Sequence, residues 1–185
     1  YMFPKAHAVA YVMMALRIAW YKVHEPMHFY IQYLTLRCGA YEIETMVKGI
    51  EAIRARMQDI EMRSQDKNSA NPVTNKEKSL LDTLEICEEI YARGYQISNV
   101  NLYKSLADEF TIDPDNAKAL IPPFTVIDGL GAGVASSIVE AAKQAEFLSK
   151  EDLEKRTQLS GTLIKKLDMM GVLNGLSDRN QMSLF

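Results

Sequence analysis

The chain has little cysteine: two in 185 residues, Cys38 and Cys87, with no Cys-x-x-Cys spacing. That argues against a disulfide-stapled fold and a cysteine zinc site, and it fits a reducing cytoplasm. Positive charge is not in excess either, since the formal net charge is −3 and the pI about 5.7. A general basic coat is absent, so a nucleic-acid partner would have to be met at a local site. No signal peptide opens the chain. The apolar run from Ala8 to Ala19 falls short of the ~20 residues a membrane span needs, and it is interrupted by Arg17 and followed by Lys22. It reads as a buried core helix, with no membrane contact. No Ser/His/Asp set, Cys/His pair or Asp-x-Asp pattern is present. His24 and His28 are separated by Pro26, which breaks a shared helical metal face. Glu85, Glu88 and Glu89 read as a solvated helix face. No metal site and no complete catalytic set is expected within this chain.

Charge is unevenly spread. Up to Arg37 the sequence carries Lys5, Arg17, Lys22 and Arg37 against Glu25 alone, together with all three histidines, His7, His24 and His28; the middle is acidic. Patterning predicts a helix from Pro4 to about His24, stopped by Glu25-Pro26, and a second from Pro26 to Leu36. A third, from Ile43 to Arg63, has Met46, Val47, Ile50, Ile53 and Met57 on one stripe. A polar loop follows, residues 65–75, and Asn75 is placed to cap a helix that ends near Arg93, with Gly94 beyond it. Residues 95–102 look extended, 102–109 a short helix or turn, and Phe110-Thr111-Ile112 a short strand. Asp113-Pro114-Asp115-Asn116 is a turn. Three short helices close the chain, the second started by Ser149-Lys150-Glu151-Asp152 as a capping box and the third ended by Gly171.

The most informative segment is Gly129-Leu130-Gly131-Ala132-Gly133, between the proline-broken stretch Leu120-Ile121-Pro122-Pro123-Phe124 and a helix expected over Val134 to Ala145. Glycines at spacing two, opening a helix, leave backbone N–H groups uncovered at a positive helix end, which suits a phosphate oxygen. Two helices around such a turn make a helix-hairpin-helix, which holds a duplex by its backbone without reading its sequence. Leu130 would plug the turn into its own core. Gln158-Leu159-Ser160-Gly161-Thr162 reads as a second copy that has lost most of its glycines. The plain alternative is a helix C-cap followed by an N-cap, with no ligand. No βαβ unit surrounds the glycines, which argues against a dinucleotide site.

Two further groups stand out. Gln181-Met182-Ser183-Leu184-Phe185 ends the chain on large apolar residues after a polar stretch, a pattern that fits a partner's pocket or a fold back onto the chain's own core. On the first helix, Lys5, His7 and Tyr11 lie at spacings that can share a face; a Lys and a His there suit triphosphate contacts, and Tyr11 could stack on a base or sugar. They could equally be satisfied polar groups of the core.

In this order the pieces resemble the PolC-type replicative DNA polymerase III family of low-GC Gram-positive bacteria. Tyr1-Met2-Phe3-Pro4-Lys5-Ala6-His7-Ala8-Val9-Ala10-Tyr11 and Lys22-Val23-His24-Glu25-Pro26 look like the end of that family's fingers. Leu120 to Gly131, with Glu146-Phe147-Leu148-Ser149-Lys150-Glu151-Asp152-Leu153, looks like its duplex-binding domain. Gln181 to Phe185 is similar to its sliding-clamp peptide, with Met182 where Leu is more usual. Met fills a similar volume. Ala132 and Val134 leave the hairpin without Lys or Arg, so its hold would rest on backbone donors.

The resemblance implies a mainly α segment with at most a short strand pair near Thr111 and Phe124: residues 1–50 the end of the fingers, 51–176 a duplex-binding domain with its tandem hairpins over about 122–176, and 177–185 a clamp-binding tail. It implies incoming-nucleotide contacts by Lys5, His7 and Tyr11, duplex contacts by Gly129 to Gly133 with Ser160 and Gly161, and clamp contacts by Gln181, Met182, Leu184 and Phe185. The implied partners are primer-template duplex, incoming dNTP, sliding clamp and the polymerase's own palm, thumb and exonuclease. The family's Mg2+ is held in the palm, upstream, so this segment alone is expected to be inactive although the parent is a DNA-directed DNA polymerase. The alternative is a stand-alone helix-hairpin-helix module that binds only protein.

Overall fold

The computed structural model describes residues 4–66 and 70–179. Helix α1, Lys5–His24, runs into α2, Pro26–Arg37, through Glu25, and Pro26 sits in the first turn of α2, where its missing N–H costs nothing. The expected third helix is two: α3, Ile43–Met46, and α4, Ile50–Gln65, divided at Gly49, whose φ of 95° no other residue type adopts cheaply. Helix α5 spans Asn75–Ala92. Its cap is Thr74 and not Asn75: Glu77 N–H donates to Thr74 Oγ1 at 3.2 Å while Thr74 N–H donates to the Glu77 carboxylate at 3.0 Å. Gly94, at φ 80°, closes the helix as the sequence predicts.

The strands are β1, Gln96–Ile97; β2, Thr111–Asp113; and β3, Asn116–Ile121. Their order is β1-β3-β2, with β1 parallel to β3 and β2 antiparallel to it, Thr111 opposite Ile121. The sheet therefore has one strand more than the expected pair, and only two residues of the extended stretch 95–102 join it. Residues 102–109 form turns, because the Asn101 side chain accepts the N–H groups of Tyr103 and Lys104 at 2.9 and 3.0 Å and curls the chain there. A 3₁₀ turn, Phe124–Val126, leads to α6, Ala132–Gln144; α7, Lys150–Arg156; and α8, Gly161–Met169.

One apolar core runs from Tyr30 and Leu34 of α2 through Met46, Ile53, Leu84 and Ile90 to Leu120, Phe124, Ile138, Leu153 and Leu167. It crosses residue 50 without a break, so α2 and α3 pack as one body with the helices that follow. What stands apart is α1. The sequence reading makes it a buried core helix; the structure buries none of its residues. Tyr11, Leu16 and Val23 are each about two-thirds exposed. The helix is apolar on several sides, and α2 can cover only one of them. An apolar groove lined by Ile18, Tyr21, Phe29, Tyr33 and Leu36 lies open between the two helices. Among the described residues no helix is long and apolar enough to cross a membrane.

Candidate nucleic-acid interface

The first turn is built by three backbone states in succession. Leu130 N–H donates to Ile127 O at 3.0 Å, Gly129 takes φ 87°, and Gly131 returns to extended backbone as the N-cap of α6. Between the two glycines Leu130 drops into the core at 3% exposure, the plug read from the sequence. Gly131, Ala132 and Gly133 remain exposed. The helix begins at Ala132, two residues earlier than expected, so Gly133 lies within its first turn. No side chain caps it. The N–H groups of Ala132 and Gly133, which a helix cannot satisfy internally, therefore lie at an exposed positive end.

The second turn repeats the plan. Leu159 is buried at 5% exposure, Ser160 is the N-cap, and Gly161 opens α8. Here Ser160 Oγ accepts Leu163 N–H at 3.3 Å. The two turns sit side by side. Gln158 N–H donates to Ser137 Oγ of α6 at 3.1 Å, Lys166 Nζ donates to Asp128 O at 3.1 Å, and a Cβ on Gly133 would lie 4.0 Å from Gln158 Oε1. Gly129, Leu130, Gly131, Ala132 and Gly133 are thus brought together with Ser160 and Gly161.

Helices α6 and α7 are locked by a residue the sequence reading missed. Arg156 donates to the carbonyls of Ala141 at 2.6 Å, Ala145 at 2.9 Å and Glu146 at 3.1 Å, and its guanidinium lies 4.5 Å from the Phe147 ring centre. It satisfies the last carbonyls of α6, where a cation also suits the helix dipole. Asp152 holds Arg156 at 3.1 Å and accepts Leu148 N–H at 3.1 Å. The Leu148 N–H first, and then the Arg156 guanidinium, keep the Asp152 carboxyl below the usual carboxylate range, against the opposing cost of burial. Ser149 caps α7 by accepting Asp152 N–H at 3.0 Å, but the reciprocal bond of a capping box goes to Leu148.

Lys5, His7 and Tyr11 lie on α1 and are exposed, not core groups. The rings of His7 and Tyr11 meet with centres 4.3 Å apart. Lys5 stands roughly 200° around the helix from His7, so the face is shared by two of the three. Gln181, Met182, Leu184 and Phe185 lie outside the described residues.

A helix-hairpin-helix family model matches residues 94–182, the segment that carries both turns. The whole chain aligns with DNA polymerase III PolC-type of Streptococcus thermophilus at 49% identity over 185 residues, with that of Listeria innocua at 50%, and with that of Oceanobacillus iheyensis at 49%. In each case the chain spans about 12% of the relative's length. With half of its residues identical from end to end and a helix-hairpin-helix in place, this chain belongs to the C-terminal region of the PolC-type DNA polymerase III family.

Proposed function

We propose that this chain is the duplex-holding and nucleotide-facing part of a replicative DNA-directed DNA polymerase. The observation that carries the reading is the pair of exposed turns, each plugged by a buried leucine and opening a helix on the same side of the body. Each turn would accept one phosphate, and a duplex seated on both would be held by its backbone alone, whatever its sequence. Such a hold suits an enzyme that must grip every sequence it makes. The acidic middle of the chain would disfavour duplex contact there.

On α1, Lys5, His7 and Tyr11 would contact the incoming nucleotide, His7 and Tyr11 from one face and the long Lys5 side chain from another, and Gln181, Met182, Leu184 and Phe185 would enter a sliding clamp. A tether of that kind raises the enzyme's local concentration at the primer end, so a modest peptide affinity gives long runs of synthesis. Two-metal chemistry would belong to the Mg2+ of the palm. This chain supplies position and grip.

The test is duplex binding against salt. The reading expects sequence-independent binding that weakens as salt rises. Gly131→Gln with Gly133→Gln is expected to weaken it about tenfold, because the side chains stand where a phosphate must approach. If the double variant binds duplex as tightly as the parent, the turns are not the contact. Absence of any duplex binding at low salt, with clamp binding retained, would favour a module that meets only protein.

A further inference from the structure

Glu88 and Glu89, read from the sequence as part of a solvated helix face, are engaged. Glu88 binds Arg54 of α4 at 2.6 Å. Glu89 lies at the centre of a cluster between α5 and the α1–α2 elbow. One carboxylate oxygen accepts Lys22 Nζ of α1 at 2.7 Å, and the other accepts the hydroxyl of Tyr30 of α2 at 2.8 Å. Just past the end of α5, Arg93 donates to the Tyr30 hydroxyl at 2.9 Å and to the backbone carbonyl of Lys22 at 3.1 Å. Lys22 Nζ also stands 5.3 Å from the Phe29 ring centre. Tyr30 is fully buried, so this is a fixed anchor, and its hydroxyl is pushed up to about 12 by burial and by Glu89.

The arrangement matters because of what α1 lacks. It buries none of its own residues, so packing alone does little to fix its direction. The carbonyl of Lys22 belongs to the last turn of α1, where an intrahelical partner is missing, and Arg93 supplies one. Two side chains, one from the last turn of α5 and one from its C-cap, thus hold both the head of Lys22 and its backbone. At the other end of α5, about 27 Å away for 18 residues, Lys76 Nζ pairs with the Asp128 carboxylate at 2.6 Å, immediately before Gly129 of the first turn. Helix α5 is therefore a strut with α1 tied to one end and the turn to the other.

We propose that Glu89 and Arg93 are positioning residues: they hold α1, and with it Lys5, His7 and Tyr11, at a fixed angle to the body that carries the hairpin turns. The proposal rests on the nucleotide-facing reading of α1. The strut would keep the nucleotide-facing helix in register with the duplex it serves. Lys22 contributes as the atom that is held, and Tyr30 as the anchor.

The first experiment is independent of that reading. Spin labels are placed at Ala15→Cys on α1 and Lys143→Cys on α6 of the 185-residue chain, in a Cys38→Ser background. The parent is expected to give one narrow distance, and Glu89→Ala with Arg93→Ala a broad distribution at unchanged helix content. Arg93→Lys keeps a cationic donor and is expected to keep the distance narrow. A narrow distance in the double alanine variant overturns the proposal. The second experiment uses a PolC-type polymerase that carries this chain. There the double variant is expected to raise KM for the incoming nucleotide about tenfold, as loss of reactant positioning does, with duplex affinity unchanged. A broadened distance with unchanged KM overturns the positioning role. Lys5→Ala with His7→Ala, run beside it, identifies the cause: unchanged KM there means that the nucleotide-facing reading has failed, whereas raised KM there means that the strut alone has.

Discussion

Ser137 Oγ accepts the backbone N–H of Gln158 at 3.1 Å while donating to Val134 O at 2.8 Å. One hydroxyl on α6 therefore joins the helix of the first turn to the backbone of the second. Ser137→Ala removes the acceptor and is expected to cost about 1 kcal/mol, seen as a lowered melting temperature. Since a duplex must meet both turns at once, the variant is also expected to bind duplex several-fold less tightly, measured by fluorescence anisotropy at low salt. Unchanged affinity would mean that the turns act separately.

Two glycines of one turn are expected to respond in opposite directions. Gly129 has φ 87°, so Gly129→Ala forces a side chain into the left-handed region at about 1–2 kcal/mol. Gly133 lies in the first turn of α6, and its Cβ would meet only ordinary contact at 4.0 Å. Gly133→Ala is expected to leave stability unchanged or to raise it by about 0.5–1 kcal/mol. Chemical denaturation of the two variants checks the pair.

Acid should loosen α5 where it meets α4. Arg63 and the Thr74 N–H hold the Glu77 carboxyl down at about 2. Because the folded value is depressed, the stabilisation is complete above the ordinary carboxylate value of about 4.3 and fades as pH falls toward the folded one. The melting difference between the parent and Glu77→Gln is therefore expected to be constant from pH 7 to about 5 and to shrink below about pH 4. A difference that grows on acidification would contradict this.

The clamp contact is tested by deletion of Leu184 and Phe185. With the apolar anchors gone, affinity for a sliding clamp is expected to fall by at least about tenfold, and duplex binding is expected to stay as it was. Surface plasmon resonance with an immobilised clamp reads the first, anisotropy the second.

What the sequence made legible was mostly local. The burial of Leu130 and the stop at Gly94 both depend on residues within one turn of chain, and the structure has them. Thr74 in place of Asn75 is an error of one residue within a correct boundary. The first half of strand β3 was missed because Ala117 and Lys118 have little strand preference of their own, and pairing with β2 carries the strand back to Asn116. Arg156 was missed because its acceptors on the end of α6 are 11 and 15 residues away in the chain, beyond any capping pattern. Glu89 was misread for the same reason, as its partners lie 59 and 67 residues earlier. The burial of α1 was misjudged because periodicity reports how apolar a helix is and says nothing of what lies against it.

The open sides of α1 carry a consequence for handling the protein. Val9, Tyr11, Val12, Leu16, Trp20 and Val23 present oil to water along a 20-residue rod. In concentrated solution such rods are expected to find one another, so the exposed face of α1 is a liability for colloidal stability. Turbidity that rises with concentration and subsides when Leu16 and Trp20 are made polar would be its mark.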